Sequence, residues 1–230
     1  MLQHLTPPEA LETLSRHAVH KSRMPVQKLF ASSVMAGMLL SFACGSLLVA
    51  NASPDYTTYA PGVLRLINAA IFPYGLVLVL ITGTTLTTAS MMDTILAFCQ
   101  GRMRLVSVAY ALGTTFLGNL LGSLFMVIVL FGLGGTFESR VFRESVVSYA
   151  ISKQVEPTWR QILLRSVGAN FLLSLAEFQG AMGRGYAERV VGIWLPAAGF
   201  ITLEFDHLVA NMTFIPMGRC AKGVLGCAHS

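Results

Sequence analysis

Within LEFDHLVANMTFIPMG, residues 203–218, Glu204, Asp206 and His207 interrupt an otherwise apolar segment. A charged side chain at the centre of a bilayer costs on the order of 2.5–3.5 kcal/mol even on the most lenient insertion scale. Two carboxylates and an imidazole at this depth must therefore face protein rather than lipid. On a continuous helix Phe200, Glu204, His207 and Asn211 fall at i, i+4, i+7 and i+11, a single stripe. Asp206 points elsewhere, where it can orient or charge-pair with a neighbour. His207 is the group whose ordinary pKa permits proton exchange near neutrality. A lone buried histidine is more often a satisfied core residue, but the flanking acids argue for a site.

GTTLTTAS, residues 83–90, interrupts a second apolar run with a glycine and five hydroxyl side chains. Backbone released from a helix at membrane depth must be buried in protein or line a wet cavity. Hydroxyls can satisfy it, and a half-helix beginning after Ser90 would aim its positive end inward, toward an anion. The plainer alternative is an unbroken helix whose threonines bond back to the preceding turn. Asn119 in FLGNLLG and Asn170 in VGANFLL are expected to bond across helices, while Arg165 and Glu177 are expected to reach the interfaces.

The elements that must hold these residues are membrane helices. Charged residues make up 12% of the 230, about half the share in ordinary soluble domains, and the mean hydropathy is +0.64. Apolar windows of about 20 residues suffice to cross the hydrocarbon core. They predict spans at 27–50, 63–100 (interrupted at 83–90), 105–133, 158–182 and 189–216, with a polar loop at 134–157. Thr6-Pro7-Pro8-Glu9 has the form of a helix start, with Thr6 as N-cap, for a surface helix over 7–20. The chain thus divides into an N-terminal tail with an interfacial helix (1–26), a transmembrane domain (27–216) and a short C-terminal tail (217–230).

Arg16, Lys21 and Arg23 precede the first span and Lys28 stands at its start, while the loop 51–64 holds no Lys or Arg. Arg102 and Arg104, then Arg184 and Arg189, fall on the same side as the N-terminus, while Arg140, Arg143 and Lys153 run against the pattern. The positive-inside rule puts the N-terminus in the cytoplasm. The net charge of +5 is dispersed between apolar spans, which argues against nucleic acid. Cys44, Cys99, Cys220 and Cys227 match no metal-ligand spacing. No nucleophile elbow, phosphate loop or paired catalytic carboxylates appear, so neither an enzyme nor a cofactor is expected.

FDHLVANMTFIPMG resembles the phenylalanine–acid–histidine motif of the formate/nitrite transporter family. FPYGLVLVLITGTTLTT, Gly118-Asn119, Ala169-Asn170 and the N-terminal PPEALETLSRHAVHKSRMPVQKLFASSVMAGMLLSFA are similar to other parts of it, in order, from about residue 6 to 218. The resemblance implies an all-α, aquaporin-like inverted-repeat bundle with broken second and fifth spans, assembled as a homopentamer in the plasma membrane. It implies a proton-linked path for small monovalent anions in each protomer. His207 would be the central histidine and Thr88 its partner across the pore. Phe72 and Phe200 would form the outer constriction, Leu76 and Leu86 the inner one, and Asn170 and Asn211 would line the path.

The chain departs from the family pattern in places. Thr85 stands where relatives often carry an acid, Thr87 where an aromatic would narrow the slit, and Glu204 where the family has a small residue. Lys153 lies close to the place of a basic residue guiding anions, although ungapped counting puts Gln154 there. Five spans are expected instead of six, the last fourteen residues being too short for another crossing. A second reading follows from this: a truncated, non-transporting member that assembles with or interferes with full-length subunits. An aquaporin-like pore for neutral solutes predicts two Asn-Pro-Ala boxes, and the sequence contains none.

Overall fold

The computed structural model describes residues 4–223, and every regular element among them is helical. Helix α1 (Pro7–Ser22) starts as its sequence predicts, with prolines in the first turn and the Glu9 carboxylate accepting from the Thr6 N–H at 2.7 Å and hydroxyl at 2.8 Å. It buries Ala10, Leu14 and Ala18. Helix α2 (Val26–Asn51) follows and, at 1.5 Å per residue, is about 39 Å long. The short α3 (Pro54–Tyr59) leads into α4 (Pro61–Ile71), which passes through Phe72 into α5 (Pro73–Thr82). After a break comes α6 (Thr87–Cys99), then α7 (Leu105–Phe125), which continues as a π-helical segment over Met126–Leu133. The remaining helices are α8 (Arg140–Gln154), α9 (Trp159–Met182), α10 (Tyr186–Thr202) and α11 (Leu208–Ala221).

Among the described residues three stretches are long and apolar enough to cross a membrane by length and composition alone: Val26–Asn51, Pro61–Thr82 and Leu105–Leu133. Helix α9 matches them in length but carries Arg160, Arg165 and Glu177. Helices α10 and α11 occupy the fifth predicted span as a pair. Helices α2 and α7 cross closely, and Cβ atoms at Gly37, Gly118 or Gly122 would run into the facing backbone of Asn119, Phe30 or Val34. Small residues let the two backbones touch, which is how helices associate where lipid removes the hydrophobic incentive.

Two corrections concern the segments between spans. The stretch 134–157, expected as a polar loop, contains the fifteen-residue α8. Phe142, Val146, Tyr149 and Lys153 form a stripe at i, i+4, i+7 and i+11, of which Val146 is fully buried and Phe142 and Tyr149 pack on the main core. Its charged exterior, including the Arg140–Glu144 pair at 2.8 Å, hides that stripe from a hydropathy window. The first break is also shorter than expected. Gly83 closes α5 with a left-handed φ of 71°, which suits a residue without Cβ. The chain is helical again from Thr87 rather than after Ser90.

The two ends of α2 define two faces of the molecule. Its start adjoins α1, and its end adjoins α8, where the Ser145 hydroxyl donates to the Asn51 carbonyl at 2.9 Å. On the α1 face Arg102, just past α6, grips Glu12 of α1 through two bonds of 2.8 and 2.6 Å. Helix α6 therefore runs from the centre to the α1 face. Helix α11 runs from the centre to the α8 face, where Met217 and Cys220 meet Phe131 and Phe137. The two half-helices leave the centre in opposite directions, as inverted repeats require.

Candidate functional site

The two breaks meet at the centre. His207 closes the second break as the N-cap of α11, its Nδ1 accepting from the Ala210 N–H at 3.3 Å. Its Nε2 lies 3.0 Å from the Thr88 hydroxyl, in the first turn of α6. Because Nδ1 is an acceptor, the ring proton sits on Nε2 and is offered to Thr88. Thr88 and His207 are 2% and 3% exposed. Each half-helix directs its positive end and free N–H groups at this point, which favours negative charge.

Asn119 holds the first break in place. Its Oδ1 accepts from the Thr87 N–H and hydroxyl, both at 2.8 Å, and its Nδ2 donates to the carbonyls of Ser33 at 2.7 Å and Thr85 at 3.1 Å. The expected cross-helix bonding of Asn119 is therefore present, and it ties α7 to α2 and to the start of α6. Thr85 is bound in turn to the Ser32 hydroxyl at 3.1 Å. Asn170 behaves otherwise. Its Nδ2 donates to Ser166 on its own helix at 2.9 Å, and its buried Oδ1 makes no hydrogen bond.

Phe72 and Phe200 stack edge to face with centroids 5.7 Å apart, and Phe200 stands 5.8 Å from the His207 ring. Leu76 and Leu86 are fully buried in the surrounding core. Beside His207, Phe200 and Asn211 lies a cavity of about 20 Å³, room for roughly one water. A second, open depression of about 570 Å³ reaches in from the α8 face. Asn68, Tyr149, Lys153 and Glu204 border both spaces and so form the constriction, or neck, that separates them. Of the expected site residues, His207, Phe200 and Asn211 line the small cavity; Thr88 and Phe72 reach it through their contacts with His207 and Phe200, and Asn170, Leu76 and Leu86 do not line it.

The break in the fifth span also disposes of the single stripe expected from a continuous helix. Leu203 to His207 leave the helix, and Glu204 takes a left-handed φ of 54°. Its carboxylate turns away to Arg65 of α4 at 2.6 Å. Both side chains are about half exposed, so the pair is worth about 0–1 kcal/mol. A non-glycine residue in that conformation costs roughly 1–3 kcal/mol, so the ion pair alone does not offset the strain. Asp206 is buried, as its predicted separate orientation requires, and Lys153 approaches its Oδ1 at 3.4 Å. Lys153 also donates to the Glu204 carbonyl at 3.0 Å. The structure therefore puts Lys153, not Gln154, beside the second break.

Two further sequence expectations change. Arg165 borders the large depression rather than simply reaching a lipid interface. Glu177 is 7% exposed and faces the Lys21–Asp93 pair, whose members are 2.9 Å apart. This buried cluster joins α1, α6 and α9, and hydropathy had no means of showing it.

The comparisons with known proteins agree with this geometry. A probable formate transporter of Methanothermobacter thermautotrophicus is 29% identical over 234 residues, spanning 95% of this chain and 85% of the relative. A solved structure described as an FNT family ion channel superposes with a TM-score of 0.80 at 23% identity, covering 95% of this chain and 96% of the other. A pentameric formate channel with formate bound superposes at 0.74 and 22% identity, covering 87% and 81%. The model of the formate/nitrite transporter family, a family of transporters and channels rather than enzymes, matches residues 8–229. With an all-helical fold, two central breaks and this match over nearly its whole length, the chain belongs to the formate/nitrite transporter family.

Proposed function

We propose that each protomer conducts small monovalent anions such as formate or nitrite, with proton linkage through His207. The observation that carries the reading is the 3.0 Å contact of His207 and Thr88 where two half-helix N-termini converge, beside a cavity that a neck of four residues separates from a large depression. The similarity to formate transporters and to a pentameric formate channel supports both the substrate class and a homopentamer. In this reading the N-terminus is cytoplasmic in a plasma membrane, and the depression on the α8 face is the outer mouth.

The chemistry follows from the atoms present. A bare anion does not pass an apolar slit such as Phe72–Phe200 cheaply, whereas its conjugate acid does. To donate a proton and remain a neutral imidazole, His207 must first take one up. The vacant position is Nδ1, the atom that caps Ala210. Protonation there gives up the cap and loosens the first turn of α11, after which Nε2–H passes to the anion. Thr88 holds Nε2 in line, and Asn211 offers a polar group beside the cavity. Lys153, Arg65 and Arg165 supply positive charge on the approach.

The test is uptake of labelled formate and nitrite into proteoliposomes under an imposed pH gradient. Accumulation above empty vesicles, driven by an inward proton gradient, is the expected result. Uptake equal to that of empty vesicles removes the transport reading and leaves the non-transporting alternative.

A further inference from the structure

Glu204 is the residue that the proposed path does not explain. It stands in a left-handed conformation that glycine adopts freely, so the backbone has no need of a carboxylate there. Glu204 nevertheless lines both the depression and the small cavity. It is held at 2.6 Å by Arg65, reaching over from α4. The Glu204 backbone carbonyl is held separately, by Lys153 at 3.0 Å. The break is therefore anchored through the main chain independently of the side-chain pair with Arg65. Charged residues around the depression are Arg65, Lys153 and Arg165 against Glu144, Glu156 and Glu204. The positive and negative sets balance, and Glu204 is the member of the negative set that also reaches the neck.

We infer that Glu204, positioned by Arg65, is a specificity-determining residue of the neck, tempering the attraction of anions and turning multiply charged ones away. A balanced approach admits a monovalent anion without trapping it beside Lys153. Two negative charges meet twice the repulsion from a fixed carboxylate, so a divalent anion is disfavoured more strongly than a monovalent one. This inference rests on the transport reading above.

The experiment compares the wild-type chain with Glu204→Gln, Glu204→Asp, Glu204→Gly and Arg65→Gln in proteoliposomes. Initial rates of labelled formate uptake are measured against formate concentration at low ionic strength, with sulfate as competitor. Removing the negative charge in Glu204→Gln should lower the KM for formate roughly threefold to tenfold. Sulfate should then inhibit at correspondingly lower concentration. Arg65→Gln should move both quantities in the opposite direction, and Glu204→Asp should stay near wild type. These shifts should shrink at raised ionic strength, where screening shortens the reach of the charge. Glu204→Gly, which removes strain and charge together, should match Glu204→Gln.

A merely structural ion pair gives a different pattern. Glu204→Gln and Arg65→Gln would then shift KM in the same direction, or only the glycine variant would respond, and either result overturns the inference. Wild-type uptake with both charge variants unchanged rejects the inference while leaving transport intact. Absent wild-type uptake rejects both.

Discussion

His207 carries two duties on one ring: Nδ1 caps α11 and Nε2 meets Thr88. Substitutions can separate them. Asparagine is among the best N-caps but does not exchange protons near neutrality. We expect His207→Asn to retain the fold and to lose the pH dependence of anion uptake, whereas His207→Ala loses the cap as well, a cost of about 0.5–2 kcal/mol. A His207→Asn protein with the wild-type pH profile would remove the histidine from the mechanism. Thr88→Val keeps the shape and deletes the hydroxyl. Uptake should fall roughly two- to tenfold, the kinetic equivalent of one hydrogen bond, and an unchanged rate in vesicles excludes a role for Thr88 Oγ1. How much of this was readable from residues alone differs from one to the next. His207 and the threonine-rich break stood out because ionisable or hydroxyl groups inside apolar runs have few stable places to go, whereas the pairings of His207 with Thr88 and of Phe72 with Phe200 were expected only from the family resemblance. Arg65 as the partner of Glu204 was not, because 139 residues separate them and nothing local marks the pairing.

At the scale of the element, the first break depends on a residue from another helix. Asn119 serves Thr87, Thr85 and Ser33 at once, so Asn119→Leu leaves the Thr87 N–H and the Thr85 carbonyl in the break without this partner. Each such group costs about 1–3 kcal/mol. The variant should lose several kcal/mol of stability, read as a clear drop in unfolding temperature in detergent. No drop would mean that the break is held by other contacts. On the α1 face, hydrogen bonds from Arg102 and then Arg16 hold the Glu12 carboxyl down at about 2, from an ordinary value of 4.5. Because the folded value is depressed, this contribution to α1 docking is complete above about pH 4.5 and is lost as the pH falls through about 2. Hydrogen exchange of the first half of α1 should therefore speed up below that range, and Arg102→Ala should already show the faster exchange at pH 7. Equal protection in both proteins at pH 7 would show that Lys21–Asp93 docks α1 unaided. Helix boundaries were accurate where apolar length set them, as for 105–133, and inaccurate where a cap set them. Helix α6 begins four residues early because Asn119 satisfies Thr87, a long-range fact that no window over GTTLTTAS contains.

For the whole molecule, large apolar side chains stand exposed along α4, α7 and α9, among them Leu66, Leu117, Leu121, Leu164 and Phe171. A membrane or neighbouring protomers must cover them. If the homopentamer reading holds, mass measurement of the detergent-extracted protein will give five copies, and a monomer would exclude it. Mixing with a full-length relative tests the non-transporting alternative, in which uptake by the relative declines as this chain is added. Two apolar runs broken by polar groups point to a central site, while the inverted architecture itself was expected from the family resemblance. Helix α8 was not visible, because its buried stripe is narrow and its remaining surface polar.

That helix has one more consequence. Its last stripe position, Lys153, is the group that reaches buried Asp206, and each helical residue turns the next by about 100°. Inserting or deleting a single residue between Val146 and Lys153 would swing the ammonium out of reach and strand a carboxylate at 1% exposure. Connections between membrane spans ordinarily tolerate changes of length. Here the connection acts as a ruler, and its residue count is under the same constraint as the spans it joins.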